Sequence, residues 1–562
     1  MIVYRDVPTR LDPRRHLRML ATDAGRLSPA RPDRDAATDL LIAFGALEAA
    51  VVDALCPEVD GFHPTAAAYR RLAERIGRVW LAAQRNVAAD TGALAGDLRT
   101  LAEAPQPAEV TVKLAEGFAW YGLYPQAFAR AAEDAAAAVR PARAVCLGLR
   151  GIGTALSALA AAALQARGVP VWTWTLRPHG HPFDRRPRLD ADLAARLLAD
   201  PTSVVLMVDE GPGLSGSSLC GTAAALSDLG IPDERILILP AWIPDGSAFV
   251  SDTARARWTR HAKFATPFDR AWAGVPADAE DLSGGAWRAR LFDSQADWPV
   301  VQPQHERLKF RVPGRTGRTL LKFAGLGPHG RKVAARAEAL AAAGFAPPVE
   351  GFGNGMLAQP WLEGRPLRSR DWDRVADRAL AYLAHRATAF RTGTGADPDP
   401  LVAMLRQNAA EALGTDGPTL DRLDRWRPLL AEAPAVEIDG RMAPHEWLAT
   451  AGGIVKTDGV DHCDGHVLPG ATDIAWDVAD LADGFGLDEG TAQAFTQRLA
   501  EMTGDASLPR RLPFYRAAVA AFRVGYADLA AKALAGTPDG DLFAIQRARD
   551  AAALTRTLAV LP

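Results

Sequence analysis

Asp209 and Glu210 stand side by side at the end of an apolar run, in the stretch VVLMVDEGPGLSGSS over residues 204–218. Two adjacent carboxylates followed by a turn of small residues can grip a phosphorylated sugar from both ends. The acids accept hydrogen bonds from ring hydroxyls, while Ser215, Gly216, Ser217 and Ser218 turn backbone N–H groups and hydroxyls toward a phosphate. The run 204–208 reads as a buried parallel strand, so both carboxylates emerge at its carboxyl end, where open α/β sheets place ligands. The apolar-periodic segment LCGTAAALSDLG after them supplies a helix whose N-terminus favours negative charge.

Upstream, ARAVCLGLRGIGTAL reads as a strand, a turn and a small-residue helix. Its turn exposes backbone N–H groups at Gly151 and Gly153 and adds a fixed cation, Arg150, which suits a departing diphosphate. Between the two turns, RPHGHPFDRRPRLD sets Arg177, His179, His181, Arg185, Arg186 and Arg188 among prolines and a glycine. For the last three arginines a solvated basic loop is the competing reading. Strand, paired acids and serine-rich turn together resemble the signature of the type I phosphoribosyltransferases, although DEGPGLSGSS is longer than the family's turn by a residue and contains Pro212.

The resemblance implies a parallel sheet with helices and transfer of ribose phosphate from 5-phosphoribosyl 1-diphosphate to an acceptor. In that reading Asp209 and Glu210 hold the ribose hydroxyls and favour positive charge developing on the ring, and Arg177 meets the pyrophosphate. Mg²⁺ accompanies the diphosphate, and the basic loop closes over the centre to exclude water. Trp120, Tyr121 and Tyr124, in FAWYGLY, either stack on a planar acceptor or belong to the core.

Residues from about 300 to 562 carry a different set. HERLKFRV and TLLKFAGLG read as strands, AARAEALAAAG as a helix, and GMLAQPWLEGRPL as a connection between a small and a large lobe. With VEIDGRMAPHEWLATAGGIVKTDG and TDIAWDVADLA they resemble a highly diverged aminoglycoside-phosphotransferase or protein-kinase-like domain. The resemblance implies that Lys322 contacts the phosphates of ATP and pairs with Glu338. It also places Asp439 one residue from the catalytic aspartate's position, His445 at the metal-ligand asparagine, and Asp458 at the Mg²⁺ aspartate. Asp473 and Asp477 match a later helix start and read as structural caps. The cluster DHCDGH adds Asp461, His462, Asp464 and His466, which hold a divalent metal, contact a phosphate, or form a hydrogen-bonded polar loop. In a competing register Asp461 is the catalytic aspartate, His466 the asparagine equivalent and Asp473 the metal ligand.

The elements that must position these residues fill 562 residues, enough for several domains. The expected fold class is α/β plus α+β: a helical N-terminal region over 1–104, a phosphoribosyltransferase-like domain over 105–275, and a two-lobed kinase-like domain over 276–562. A formal charge of −3 gives no electrostatic case for nucleic acid or a membrane surface. The four cysteines are scattered without metal-ligand pairing, and no segment reads as a signal core or membrane span, so a cytoplasmic protein is expected, with a homodimer as the default assembly. Two function classes follow. One is a phosphoribosyltransferase fused to an ATP-dependent small-molecule phosphotransferase. The other is a sensor in which a transferase-like fold binds a nucleotide or sugar phosphate beside an inactive kinase-like domain.

Overall fold

Strand β1 (Pro8–Leu11) precedes four helices, α1 (Pro13–Ala24), α2 (Arg34–Leu55), α3 (Pro64–Arg85) and α4 (Leu94–Glu103). Their starts follow from sequence. Asp12 and Asp33 accept hydrogen bonds from the backbone of Arg14 and Ala36 as N-caps, and Pro13 and Pro64 occupy first turns, where no N–H is needed. The structure, a computed structural model, describes residues 1–5, 8–213, 215–247, 249, 251–267, 276, 278–315, 317–414 and 420–561.

The chain continues through β2 (Val110–Lys113), which pairs antiparallel with β1, then α5 (Glu116–Ala119) and α6 (Pro125–Val139). An α/β unit follows: β3 (Ala144–Leu149), α7 (Ile152–Gln165), β4 (Val171–Leu176), the hairpin β5 (His179–His181) and β6 (Asp184–Arg186), α8 (Ala191–Leu198), β7 (Val204–Val208), α9 (Ser217–Asp228), β8 (Ile236–Leu239) and β9 (Ala262–Lys263). The expected parallel sheet is present, in the order β4-β3-β7-β8-β9 with every neighbouring pair parallel. Both β3 and β7 are buried along their whole length, which is why their sequences are continuous apolar runs. The chain steps from β3 outward to β4 and then returns to β7 on the other side. The turns after β3 and β7 therefore meet at the point where strand order reverses.

A second sheet is antiparallel, order β10-β11-β12-β14-β13, from β10 (Glu280–Asp281), β11 (Lys309–Pro313), β12 (Arg318–Phe323), β13 (Gly351–Gly353) and β14 (Met356–Pro360), with the helix Gly327–Ala342 beside it. Beyond it the chain is mainly helical, with the hairpin Trp447–Thr450/Gly453–Lys456 at its inner edge.

The cores do not follow a three-way division at 104 and 275; residue 275 itself lies outside the described residues. Phe44 of α2, Leu156 of α7, Val208 of β7, and Phe310, Val312 and Phe323 of the antiparallel sheet share one apolar core. The helices after residue 372 have their own. The N-terminal helices are thus the outer layer of the parallel sheet: α2 and α3 cross α7 so closely that only glycine fits at the contacts. A Cβ at Gly45 would stand 2.6 Å from the Ala155 Cβ, and one at Gly77 would stand 2.8 Å from the Ala158 carbonyl oxygen. Among the described residues no helix is long and apolar enough to cross a membrane.

Gly45→Val overpacks the α2–α7 crossing. It is expected to lower stability by about 1–3 kcal/mol, read as a lower urea midpoint with an unchanged slope.

Candidate functional site

Asp209 follows β7 directly, and its N–H donates to the Leu239 carbonyl at 3.3 Å, so the sheet fixes where the carboxylate pair begins. The turn after β3 presses against it. A Cβ at Gly153 would lie 2.4 Å from the Val208 carbonyl oxygen and 3.3 Å from an Asp209 carboxylate oxygen. A Cβ at Gly117 would lie 2.5 Å from a Glu210 carboxylate oxygen, which puts α5 against the second acid. Burial raises Asp209 to about 6, with Arg177 and Arg185 pulling the other way. Burial, then the charges of Asp209 and Glu116, raises Glu210 to about 8. Three carboxyls thus act on one another at the switch point.

The anion side differs from expectation. Arg150 does not face the recess: its guanidinium is buried, donating to Asp53 at 2.8 Å and to Asp60. Arg177 likewise donates to Asp53 at 2.9 Å, and its backbone N–H to Asp60 at 2.7 Å. Both arginines neutralise acids of the N-terminal helical layer and tie it to the sheet, so neither is placed as the expected pyrophosphate contact. Gly151, with φ of 133°, has nothing within 4 Å of the place a Cβ would take, so the turn stays open above its backbone.

On α9, Gly216 is the N-cap in the left-handed region, and the Ser215 hydroxyl accepts from the Ser217 N–H at 3.2 Å. Ser215 donates to Ser217 at 3.0 Å, and Ser217 donates to the Pro182 carbonyl at 2.7 Å; Ser218 lies in the first turn. The basic loop is the hairpin β5–β6, docked on α9 with the Arg185 carbonyl 1.8 Å from where a Cβ on Gly221 would be. Of the three aromatics, Tyr124 is buried and donates to the Asn354 carbonyl at 2.9 Å, and Trp120 is buried with its ring 4.8 Å from that of His466. Both are packing residues. Tyr121, 40% exposed, remains at the recess, within reach of the charges of Glu116 and Glu210.

The C-terminal candidates assemble around a cavity of about 140 Å³ between the antiparallel sheet and the hairpin Trp447–Lys456, lined by Trp287, Trp361, Lys309, Lys322, Arg441 and Asp458 among others. Lys322 on β12 donates to Asp458 and, at 2.9 Å, to Asp461. Glu338, the expected partner, is exposed on the outer face of the helix Gly327–Ala342. The helix turns Arg336 inward instead, 3.1 Å from Glu437 and 2.6 Å from Asp464. Asp439 is not at the cavity: it is fully buried, accepting from the Tyr382 hydroxyl at 2.5 Å, with the Lys456 Nζ at 3.2 Å and His462 Nδ1 at 3.5 Å. Burial opposes its charge, but Lys456, His462 and Arg386 hold it well below the usual carboxylate range.

His445 lines the cavity, its ring stacked 6.2 Å from that of Trp287, and burial with Arg441 nearby lowers it to about 3. It is a neutral wall residue rather than the expected ligand. The competing register fails on geometry. His466 stacks on Tyr4 at 5.2 Å, away from the cavity, and Asp473 is bound by Arg511 at 2.6 Å. Asp473 and Asp477 are structural, as the sequence reads: Asp473 accepts from the Ala475 N–H at 3.0 Å, and Asp477 accepts from the N–H groups of Asp439 and Gly440 at 2.8 Å each.

Sequence reasoning missed Arg441, Lys309 and Lys456, and it read the Trp-rich segment to about residue 290 as a connection, whereas the chain over 280–305 is part of the site. That segment roofs the cavity with Trp287 and Val301 and is pinned by Arg288, which donates to Asp539 at 2.6 and 3.0 Å. The one available signal was Lys456 itself, two residues before Asp458 at the end of a hairpin strand.

Two groups, Asp439–Glu446–His462 and Asp458–Asp461–His462, have ligand atoms within 4.8 Å of one another. Neither fits Mg²⁺. The Lys456 ammonium stands 2.7 Å from Glu446 and 3.2 Å from Asp439, and the Lys322 ammonium bonds both Asp458 and Asp461. The oxygens that would close around a cation already close around a charge of the same sign.

No family model matches the chain, and no curated protein matches its sequence. Solved structures resemble part of it. A choline/ethanolamine kinase family protein from Mesorhizobium loti is 16% identical over 51% of this chain and 93% of its own, with a TM-score of 0.34. The choline kinase LicA from Streptococcus pneumoniae is 13% identical over 45% and 90%, TM-score 0.32. The macrolide 2′-phosphotransferase MphH from Brachybacterium faecium is 18% identical over 44% and 88%, TM-score 0.30. Likenesses this remote assign neither activity nor substrate.

Glu210 is a carboxyl raised in the folded state, so it favours folding fully below its ordinary value of 4.5, and that contribution is lost as pH rises through about 8. Glu210→Gln is therefore expected to gain stability over the unsubstituted chain as pH rises from 5 to 9, by on the order of a few kcal/mol. Denaturant titrations across that range check it, and parallel curves at all pH values contradict it.

Proposed function

We propose that the chain carries a phosphoribosyltransferase site at the switch point of its parallel sheet, using 5-phosphoribosyl 1-diphosphate, and a nucleotide-binding pocket between two kinase-like lobes. The observation that carries the first half is the carboxylate pair Asp209 and Glu210 at the end of β7, pressed against the open turn at Gly151 and Gly153.

In this reading Asp209 and Glu210 accept hydrogen bonds from the ribose hydroxyls, and their charge favours the positive character that the ring gains as the anomeric bond to the diphosphate breaks. The 5′-phosphate sits at the N-terminus of α9, where the Ser218 hydroxyl and the first-turn backbone N–H groups after Ser217, whose own N–H goes to Ser215, meet it. The magnesium diphosphate lies above the backbone of the Gly151 turn. Because Arg150 and Arg177 are committed to Asp53 and Asp60, the cation brought to the diphosphate is Arg185, on the hairpin that closes the recess against water. Tyr121 offers a flat face to the acceptor at the rim.

For the second half, binding without phosphoryl transfer is the better reading of the cavity. The acids that line it are each engaged: Glu306 by Lys309 at 2.8 Å, Glu446 by Lys456 at 2.7 Å, and Asp458 by Lys322. A hydroxyl acceptor needs a carboxylate free to take its proton, and the loop side chain facing the cavity near that place is Arg441. This favours the sensor reading for the C-terminal half. Arg307 gives it a route to the other site, donating to Asp461 at 2.9 Å and to the Trp120 carbonyl at 3.0 Å, next to Tyr121.

Calorimetric titration with 5-phosphoribosyl 1-diphosphate and Mg²⁺ tests the first half. Donor affinity is expected to rise as pH passes from about 6 to about 8, as the two carboxyls ionise. Asp209→Asn with Glu210→Gln is expected to weaken it by about 100-fold or more and to abolish pyrophosphate release. Unchanged affinity in the double variant removes the assignment.

A further inference from the structure

Lys456 is a buried ammonium in an unusual position. Its side chain is 1% exposed, and its Nζ lies 2.7 Å from Glu446, 3.2 Å from Asp439 and 3.1 Å from the Asp458 carbonyl oxygen. It is the last residue of the hairpin strand Gly453–Lys456, and its partners Glu446 and Asp458 line the cavity. Lys322 plays the same part from β12, bonding Asp458 and Asp461. Between them the two lysines engage every acid of both carboxylate–histidine groups that could have held a cation.

We infer that the interlobe pocket binds its nucleotide without a divalent cation, Lys456 and Lys322 standing as fixed positive charges where a kinase-like site would recruit Mg²⁺. The inference rests on the nucleotide-pocket reading above. It follows from charge and space. A divalent ion entering the Asp439–Glu446 group would meet an ammonium already sharing the same oxygens on a side chain only 1% exposed. A third cation, Lys309, lies 3.9 Å from Asp458 with its Nζ 5.9 Å from the centre of the Trp287 ring. A base held between the walls of Trp287 and Trp361 thus has its ribose and phosphate end directed at side-chain ammonium groups rather than at free carboxylates. The ligand class is an adenine or guanine nucleoside or its phosphates, taken up equally with and without metal.

Calorimetric titrations of the full chain with adenosine, AMP, ATP, guanosine and GTP, each in Mg²⁺ and in EDTA, separate the outcomes. At least one ligand is expected to bind with affinities that differ by less than about twofold between the two conditions. Binding that falls by about tenfold or more in EDTA overturns the inference while leaving the nucleotide pocket standing. Absence of binding in both conditions removes the nucleotide reading and the inference with it. A second measurement uses the metal alone. Manganese paramagnetic resonance is expected to detect no ion at the pocket of the unsubstituted chain, whereas Lys456→Met, which leaves Asp439 and Glu446 without their cation, acquires one. Manganese bound by the unsubstituted chain and lost in Glu446→Gln or Asp458→Asn overturns the inference even if Lys456→Met does not fold.

Discussion

A buried carboxylate must be met by positive charge from somewhere in the chain, and Asp461 is where that requirement joins the two halves of the molecule. Its side chain is only 3% exposed. It is neutralised by Lys322 from β12 at 2.9 Å and by Arg307 from the segment before β11 at 2.9 Å. Arg307 then spends another N–H on the Trp120 carbonyl of the parallel-sheet half. Removing one member of such a cluster leaves an uncompensated charge in low dielectric, a cost of about 3–5 kcal/mol. The antiparallel sheet, the cavity and the turn carrying Tyr121 are therefore positioned by one set of mutually dependent charges.

The same requirement reshapes the recess at the switch point. Asp53 and Asp60 belong to the N-terminal helical layer, and they draw Arg150 and Arg177 away from the ligand side of the sheet. Those arginines fasten α2 and the following loop over the turns after β3 and β4. The carboxyls of Asp209 and Glu210 are raised chiefly by burial, with Arg177 and Arg185 pulling Asp209 the other way. The N-terminal helices thus act on the site through charge as well as through packing.

The regular elements of the parallel sheet were legible. The runs at 144–149 and 204–208 are apolar without alternation because both faces are covered, and that pattern holds whatever packs on them. The placement of Asp209 and Glu210 after β7 follows from the same local reading, as does the bond from the Ala475 N–H to Asp473, whereas the bonds Asp477 accepts come from Asp439 and Gly440, 38 and 37 residues away. The fate of Arg150 was not legible, because its partners Asp53 and Asp60 lie 97 and 90 residues away in a region that reads as an ordinary amphipathic bundle. Glu338 misleads for a simpler reason: a helix presents neighbouring positions to opposite sides, and here Arg336 takes the inner one.

Sequence by itself determined the strands, the helix starts and the two carboxyls at a strand end, since these depend on residues within a turn or two of one another. Tertiary structure alone decided which charges remain available to a ligand. Lys456 reads as an ordinary strand lysine, and Lys322 as a phosphate contact paired with Glu338, until folding brings Asp439, Glu446, Asp458 and Asp461 around them. The physical reason is the range of the interaction: backbone preference is set by near neighbours along the chain, whereas the cost of a buried charge is set by whatever lies within a few ångströms in space.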